Sequence, residues 1–278
     1  MAPRIQTTPS RLSQTLGNRQ RFITSANNNH IKRWLSLLDR KGIKKHGQCL
    51  VSGKKIVLET LTHHPTLCQE LLYSEKTPDL PKLPRHVMSF ELTDALFQKI
   101  DTVGTVFPLL ICQTPKVSSA DLSVPPEGLE VLCPLGNPMN LGMVIRSCSA
   151  FGVQKLILLQ EAANPFHPKT IRASSGAVFN LSIDEGPEIQ NLTDHELRRW
   201  VVSLDLKGRN LSTWQWPQHV RLLVGEEGLG LPDITFHHTL MIPQTNAVDS
   251  LNAAMATSIA LFAYRQQFPL SEYYSESN

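Results

Sequence analysis

A chain of 278 residues, 41% of them hydrophobic and 18% charged, with a net charge of +3, has the length of two modest domains and enough apolar mass to pack them, which excludes a largely disordered protein. Apolar runs such as 106–112 and 153–159 are strand-sized, short of the ~20 residues of a membrane-spanning helix; the five cysteines at 49, 68, 112, 133 and 148, odd in number and without a CxxC pair, argue against a zinc module and a secreted disulfide scaffold and for a reducing compartment. Charge is segregated: residues 1–60 hold 12 of the 27 basic side chains and two of the 24 acidic ones, Asp39 and Glu59, so they carry +10 and the remainder −7, which suggests a basic N-terminal face for a polyanion.

Residues 1–20 are rich in Ser, Thr, Gln and Arg and show no apolar period. They read as a flexible tail without the apolar core of a signal peptide, and a cytoplasmic location is expected. Residues 21–115 alternate as a small α/β domain. Asn29–Asp39 has helical spacing, with Ile31, Trp34, Leu35 and Leu38 on one face. Lys32, Arg33 and Arg40 fall on its outer side, and Lys41, Lys44 and Lys45 in the loop beyond. Strands are expected at 48–52, 69–73, 87–89 and 106–113. Helices are expected at 54–62, opening on Lys54 and Lys55, and at 92–101. The polar stretch 116–128, with Pro125 and Pro126, reads as a linker.

Residues 129–278 form a second alternating block. Apolar strands are expected at 129–135, 155–160, 197–204 and 221–225, and helices at 141–151 and 250–267. Continuous apolar strands separated by helices argue for a mostly parallel sheet covered on both faces.

Three segments of this block join a strand end to a turn. The first, Pro134 to Gly152, starts a helix near Asn140, with Leu141, Val144, Ile145 and Cys148 on its apolar face and Arg146 off it. A guanidinium in an otherwise apolar helix needs a partner, because desolvating it is costly; a simple carboxylate partner or a surface position also accounts for it. Asn140 also fits a helix N-cap. The second segment, Leu222 to Pro232, carries glycines 225, 228 and 230 around Glu226 and Glu227. Two carboxylates there repel a pyrophosphate, which disfavours a P-loop or dinucleotide site; hydroxyls, amines or a cationic ligand suit the turn better. The third, Met241 to Phe262, places Asp249 or Ser250 as the cap of a long Ala-rich helix, with Asn252 in its exposed start.

In this order and at these positions the segments resemble the SpoU/TrmH family of the SPOUT superfamily, the RNA 2′-O-ribose methyltransferases. The resemblance covers about residues 130–266. It is carried by Asn140, Gly142, Arg146 and Ala150-Phe151-Gly152, then Val224-Gly225-Glu226-Glu227-Gly228-Leu229-Gly230, then Ile242-Pro243 with Ser250-Leu251-Asn252. Arg172 to Ala177 also resembles a family segment near the RNA or dimer face. Ser25 to Leu61 resembles the substrate-binding domain that precedes many such enzymes, an α/β sandwich like that of kink-turn-binding ribosomal proteins.

The resemblance implies an α/β trefoil-knot methyltransferase domain over 129–278, with a pocket for S-adenosylmethionine. It places Leu223, Gly225, Ile242, Leu251 and Asn252 around that cofactor. It also implies a homodimer acting on structured RNA, ribosomal RNA being favoured over transfer RNA, with neither metal nor membrane involved. Catalysis is assigned to Arg146, which activates or positions the ribose hydroxyl. Glu227 holds Arg146 or the RNA, Asn140 and Asn252 orient the reactants, and Ser250 braces the loop. Lys32, Arg33, Arg40, Lys41, Lys44, Lys45, Lys54, Lys55 and Arg172 are the expected RNA contacts. An RNA-binding protein of the same fold without transferase activity is the alternative.

Overall fold

The computed structural model describes residues 20–77, 80–192, 199–225, 236, 238–245, 247 and 249–270, so the tail expected before Gln20 lies outside the described residues. The chain divides into two units, residues 1–114 and 115–278.

In the first unit, Asn28 opens helix α1 (Asn29–Ser36) by accepting the His30 amide at 2.8 Å. Ile31, Trp34 and Leu37 are fully buried and pack with Leu72, Phe90, Leu96, Phe97 and Ile111. Each such side chain contributes about 1.5–3 kcal/mol by leaving water. The helix expected to run to Asp39 stops at Ser36, and the loop expected after it is a second helix, α2 (Arg40–His46). Asp39 is extended at its start, and Gly47, at a φ of 59°, ends it in the left-handed conformation. Gly42 is what lets α2 fold back, since a Cβ there would fall on the Ser36 carbonyl.

Five strands, β1 (Gln20–Ile23), β2 (Gln48–Val51), β3 (Cys68–Ser74), β4 (Met88–Leu92) and β5 (Leu109–Gln113), form a sheet of order β1-β4-β3-β5-β2. β4 runs parallel to both neighbours and β5 antiparallel to both. Helices α3 (Lys54–His63) and α4 (Asp94–Ile100) complete the unit. Cys49 and Cys68 both pair across the sheet with Cys112, and all three are free and buried.

The second unit is built on seven strands: β6 (Ser118–Ser119), β7 (Leu129–Cys133), β8 (Lys155–Leu158), β9 (Ile183–Glu185), β10 (Val201–Asn210), β11 (Val220–Leu223) and β12 (His238–Met241). Their order is β12-β10-β11-β7-β8-β9-β6, and every neighbouring pair is parallel. The described helices are α5 (Pro138–Ala150), α6 (Pro168–Ala173) and α7 (Ala253–Gln267). The trefoil knot expected from the family resemblance belongs to 129–278, of which 193–198, 226–235, 237, 246, 248 and 271–278 lie outside the described residues.

The stretch read as a linker is part of this unit. Ser118 and Ser119 pair with Asp184 and Glu185 at the sheet edge, and Leu122 is buried in the core with Leu132, Ile157 and Leu223. Arg221, 1% exposed, holds the stretch in place. Its guanidinium binds Glu130 through Nε at 2.8 Å and donates to the carbonyls of Leu122 and Val124 at 2.9 and 2.7 Å. Those bonds satisfy an arginine that burial would otherwise penalise heavily.

The chain leaves β7 through α5 toward β8, but leaves β11 toward β12 on the opposite side. The carboxyl ends of adjacent β7 and β11 are therefore where the winding reverses. In a parallel sheet this opens a crevice, the usual place for a ligand.

Candidate active site and nucleic-acid interface

Helix α5 begins at that crevice. Its cap is Asn137, which accepts the amides of Met139 and Asn140 at 2.8 and 3.3 Å, and not Asn140. Asn140 is thus left to use its side chain elsewhere. The amide Nδ2 of Asn252 donates to Asn140 Oδ1 at 3.1 Å, joining the first and third segments across 112 residues of sequence. Asn252 in turn caps α7, accepting from Ala254 and Met255 at 2.9 and 3.3 Å, the role expected of Asp249 or Ser250. Farther along, Ser147 and Ser258 share a hydrogen bond of 2.7 Å. The starts of α5 and α7 therefore stand together beside the carboxyl edge of the sheet.

Gly142 has a packing role. A Cβ there would sit 2.5 Å from the Ala173 Cβ and 2.7 Å from the Thr170 carbonyl, so α6 lies directly on α5. Arg146 is exposed, one turn beyond Gly142. Its neighbours on the helix surface are exposed too, Met139 at 48% and Met143 at 39%. With Met255, Ile259 and Phe262 of α7, spaced i, i+4 and i+7, they make an exposed apolar face on two packed helices. The α7 stripe was readable in the sequence by its spacing; only the fold shows that nothing in this chain covers it among the described residues.

The residues expected around the cofactor lie at the carboxyl edge. Leu223 is the buried last residue of β11, and the Val224 amide donates to Leu132 of β7 at 3.0 Å, leaving half-buried Gly225 at the mouth of the crevice. Ile242, directly after β12, and Leu251 are half-buried, and Ser250 is exposed. Apolar side chains beside exposed strand-end backbone suit a ligand with an aromatic base and a polar tail, and so fit S-adenosylmethionine. Glu227 falls outside the described residues. Arg172 is exposed in the last turn of α6. Ser175, just after it, has a φ of 54°, a left-handed conformation that is costly for a residue with a Cβ.

The basic residues of the first unit separate into groups. Arg33 is half-buried and engaged within the unit. Its Nη2 lies 2.8 and 2.7 Å from the two carboxylate oxygens of Glu70, its Nη1 donates to Gln48 at 3.0 Å, and Trp34 Nε1 donates to the same carboxylate at 2.8 Å. Glu70 is nearly buried, so this arginine neutralises a carboxylate that would otherwise be costly. Lys54 stands 5.9 Å from the centre of the Phe107 ring, and Lys55 lies 3.8 Å from Glu59. Lys32, Arg40, Lys41, Lys44 and Lys45 are exposed on α1 and α2.

Comparison with known proteins agrees with this geometry. Residues 130–262 match the SpoU rRNA Methylase family, and residues 28–105 match the MRM3-like substrate binding domain. The chain is 39% identical over 246 residues to the ribosomal RNA small subunit methyltransferase G 2 of Syntrophobacter fumaroxidans, covering 88% of this chain and 49% of that protein, about half its length. It is 25% identical over 258 residues to the 23S rRNA (guanosine(2553)-2'-O)-methyltransferase RlmP of Bacillus subtilis, covering 87% of this chain and 98% of that one. Among solved structures, the SpoU methyltransferase AviRb from Streptomyces viridochromogenes, in complex with AdoMet, superposes with a TM-score of 0.73 at 25% identity, over 87% of this chain and 99% of AviRb.

Proposed function

Because the chain joins a SpoU-family methylase domain to an MRM3-like substrate-binding domain, we propose that it transfers a methyl group from S-adenosylmethionine to a ribose 2′-hydroxyl of ribosomal RNA. The observation that carries this reading is the Asn252–Asn140 contact, which sets the third segment against the first at the crevice between β7 and β11.

When bound, S-adenosylmethionine supplies an electrophilic methyl group on a sulfonium. Leu223, Gly225, Ile242 and Leu251 would hold it. The ribose hydroxyl is a poor nucleophile and must shed its proton, to an RNA phosphate oxygen or to water, as the new bond forms. Arg146 lies on the exposed side of α5 and carries five N–H donors in a rigid fork. It positions the hydroxyl and stabilises negative charge developing on the oxygen, keeping its own proton. Asn140 and Asn252 orient the ribose and the methionine end. The exposed apolar face of α5 and α7 supports a homodimer, with Arg146 at the margin of the interface, so that a second copy completes the site. Five free, buried cysteines suit the cytoplasm.

The test is incorporation of labelled methyl from S-adenosylmethionine into ribosomal RNA by the full chain, followed by mapping of ribose methylation. Transfer at one or a few ribose positions is expected. Binding of RNA and cofactor without transfer would refute the enzymatic reading.

A further inference from the structure

The cations of the first unit do not act as one surface. With Arg33 held by Glu70, Lys54 over Phe107 and Lys55 near Glu59, three of the remaining cations on α1 and α2 converge. Lys32 of α1 and Lys41 and Lys45 of α2 line a single cleft of about 560 Å³, together with Asn29, Ser36, His46 and the Glu70-bound Arg33. Asp39 is the one carboxylate lining it, so three ammonium groups face a single acid. Gly42 sets the width of the cleft, because it brings α2 against the Ser36 backbone with no side chain between them.

This arrangement is electrostatically unfavourable on its own. Lys41 and Lys45 are one turn apart on the same helix face, where like charges repel. Arg40 and Lys41 occupy the first turn of α2, the positive end of its dipole, and neither α1 nor α2 has an acid in its first turn. Two other exposed lysines of the unit have acidic partners, Lys55 with Glu59 and Lys76 with Asp94. An anion lying between Lys32 on one wall and Lys41 and Lys45 on the other relieves the repulsion.

We infer that the α1–α2 cleft holds the phosphodiester backbone of the RNA substrate, with Lys32, Lys41 and Lys45 on its phosphates and the Asn29 amide as a neutral donor beside them. The inference rests on the RNA reading above and sharpens it. It moves the electrostatic grip away from the start of α3, where Lys54 and Lys55 stand, and concentrates it on one pair of helices.

The test uses the full chain and a fluorescein-labelled RNA hairpin, with affinity followed by anisotropy across a potassium chloride series. Two lost phosphate contacts should reduce the slope of log affinity against log salt by about 1.4–1.8, at about 0.7–0.9 per contact. Lys41→Gln with Lys45→Gln should produce that reduction, and adding Lys32→Gln should extend it. Lys41→Arg with Lys45→Arg should preserve the slope, and Lys54→Gln with Lys55→Gln should leave it unchanged. An unchanged slope in the Lys41/Lys45 glutamine pair overturns the inference, as does an equal loss in the Lys54/Lys55 pair. Displacement of the hairpin by polyglutamate at charge-matched concentrations also overturns it, because the cleft would then be a general acidic-peptide site. If the wild type shows no methyl transfer yet the slope falls as stated, the enzymatic reading fails and the cleft stands. If transfer proceeds and the slope is unmoved, the cleft fails and the enzymatic reading stands.

Discussion

Replacing Asn252 by alanine removes two things at once. Its Oδ1 accepts the Ala254 and Met255 amides that open α7, and its Nδ2 reaches Asn140 on α5. Loss of an N-cap costs about 1 kcal/mol. The contact with Asn140 is solvent-exposed and belongs at the low end for a neutral hydrogen bond, ~0.5 kcal/mol. The sum, about 1.5 kcal/mol, corresponds to a fall in Tm of roughly 3–6 °C for a unit of this size. Asn252→Ser separates the two roles: serine caps as well as asparagine but is too short to reach Asn140. Calorimetry should therefore find Asn252→Ala less stable by that amount and Asn252→Ser close to wild type, while methyl transfer falls in both. A wild-type Tm for Asn252→Ala would refute the capping argument. Full transfer by Asn252→Ser would refute the claim that the inter-segment bridge sets the reacting geometry.

Arg146→Ala should reduce transfer by about 10²–10³-fold, the scale for losing one preorganised donor, with cofactor affinity by calorimetry within a few-fold of wild type; near-normal turnover would count against the mechanism. Arg221→Ala leaves the Glu130 carboxylate buried without its partner and frees residues 122–124; about 3–5 kcal/mol of stability should be lost, measured by urea denaturation. His30 packs on Trp34 and Phe90, and burial lowers its pKa from 6.5, with Arg33 and Arg21 adding to the shift and Glu70 opposing it. The unfolded chain then takes up the proton first, so the stability of this unit should be full above about pH 7 and fall as pH drops through the unfolded value. His30→Asn should flatten that decline in denaturation midpoints compared between pH 7.5 and 5.5; an unaltered decline would assign it to other groups.

The three chemistry-bearing segments were legible because each is local: a strand end, a turn, a helix start. Which asparagine caps α5 was also local, since Pro138 at the first helical position marks the residue before it as the cap; Asn140 drew the eye through its motif. At α7, Asp249, Ser250 and Asn252 are all competent caps, and contact with α5 accompanies the choice of Asn252. The errors elsewhere have distant causes. The bond from Arg33 to Glu70 could not be read because Glu70 lies on β3, 37 residues on, and 116–128 looked like a linker because Arg221, about a hundred residues on, supplies its anchor. Helix α2 has almost no apolar face to read, with only Gly42 and Ile43 buried in its seven residues; its place is set by the close approach to Ser36 that Gly42 allows.

The order of the parallel sheet has a consequence for the chain during its synthesis. The first unit is complete once β5 has emerged, whereas β7 must wait for its inner neighbour β11, whose Val220 pairs with Leu129. At about 5–20 residues per second, the 91 residues between those partners take roughly 5–20 s to make. Throughout that interval the apolar edge of β7, with Leu129, Val131 and Leu132 destined for full burial, has only β8 beside it. The nascent second unit thus carries an unpaired central strand edge that other chains can capture. A chaperone holding the ribosome-bound intermediate, and a yield that falls with expression temperature, are what such a sheet demands of the cell that makes it.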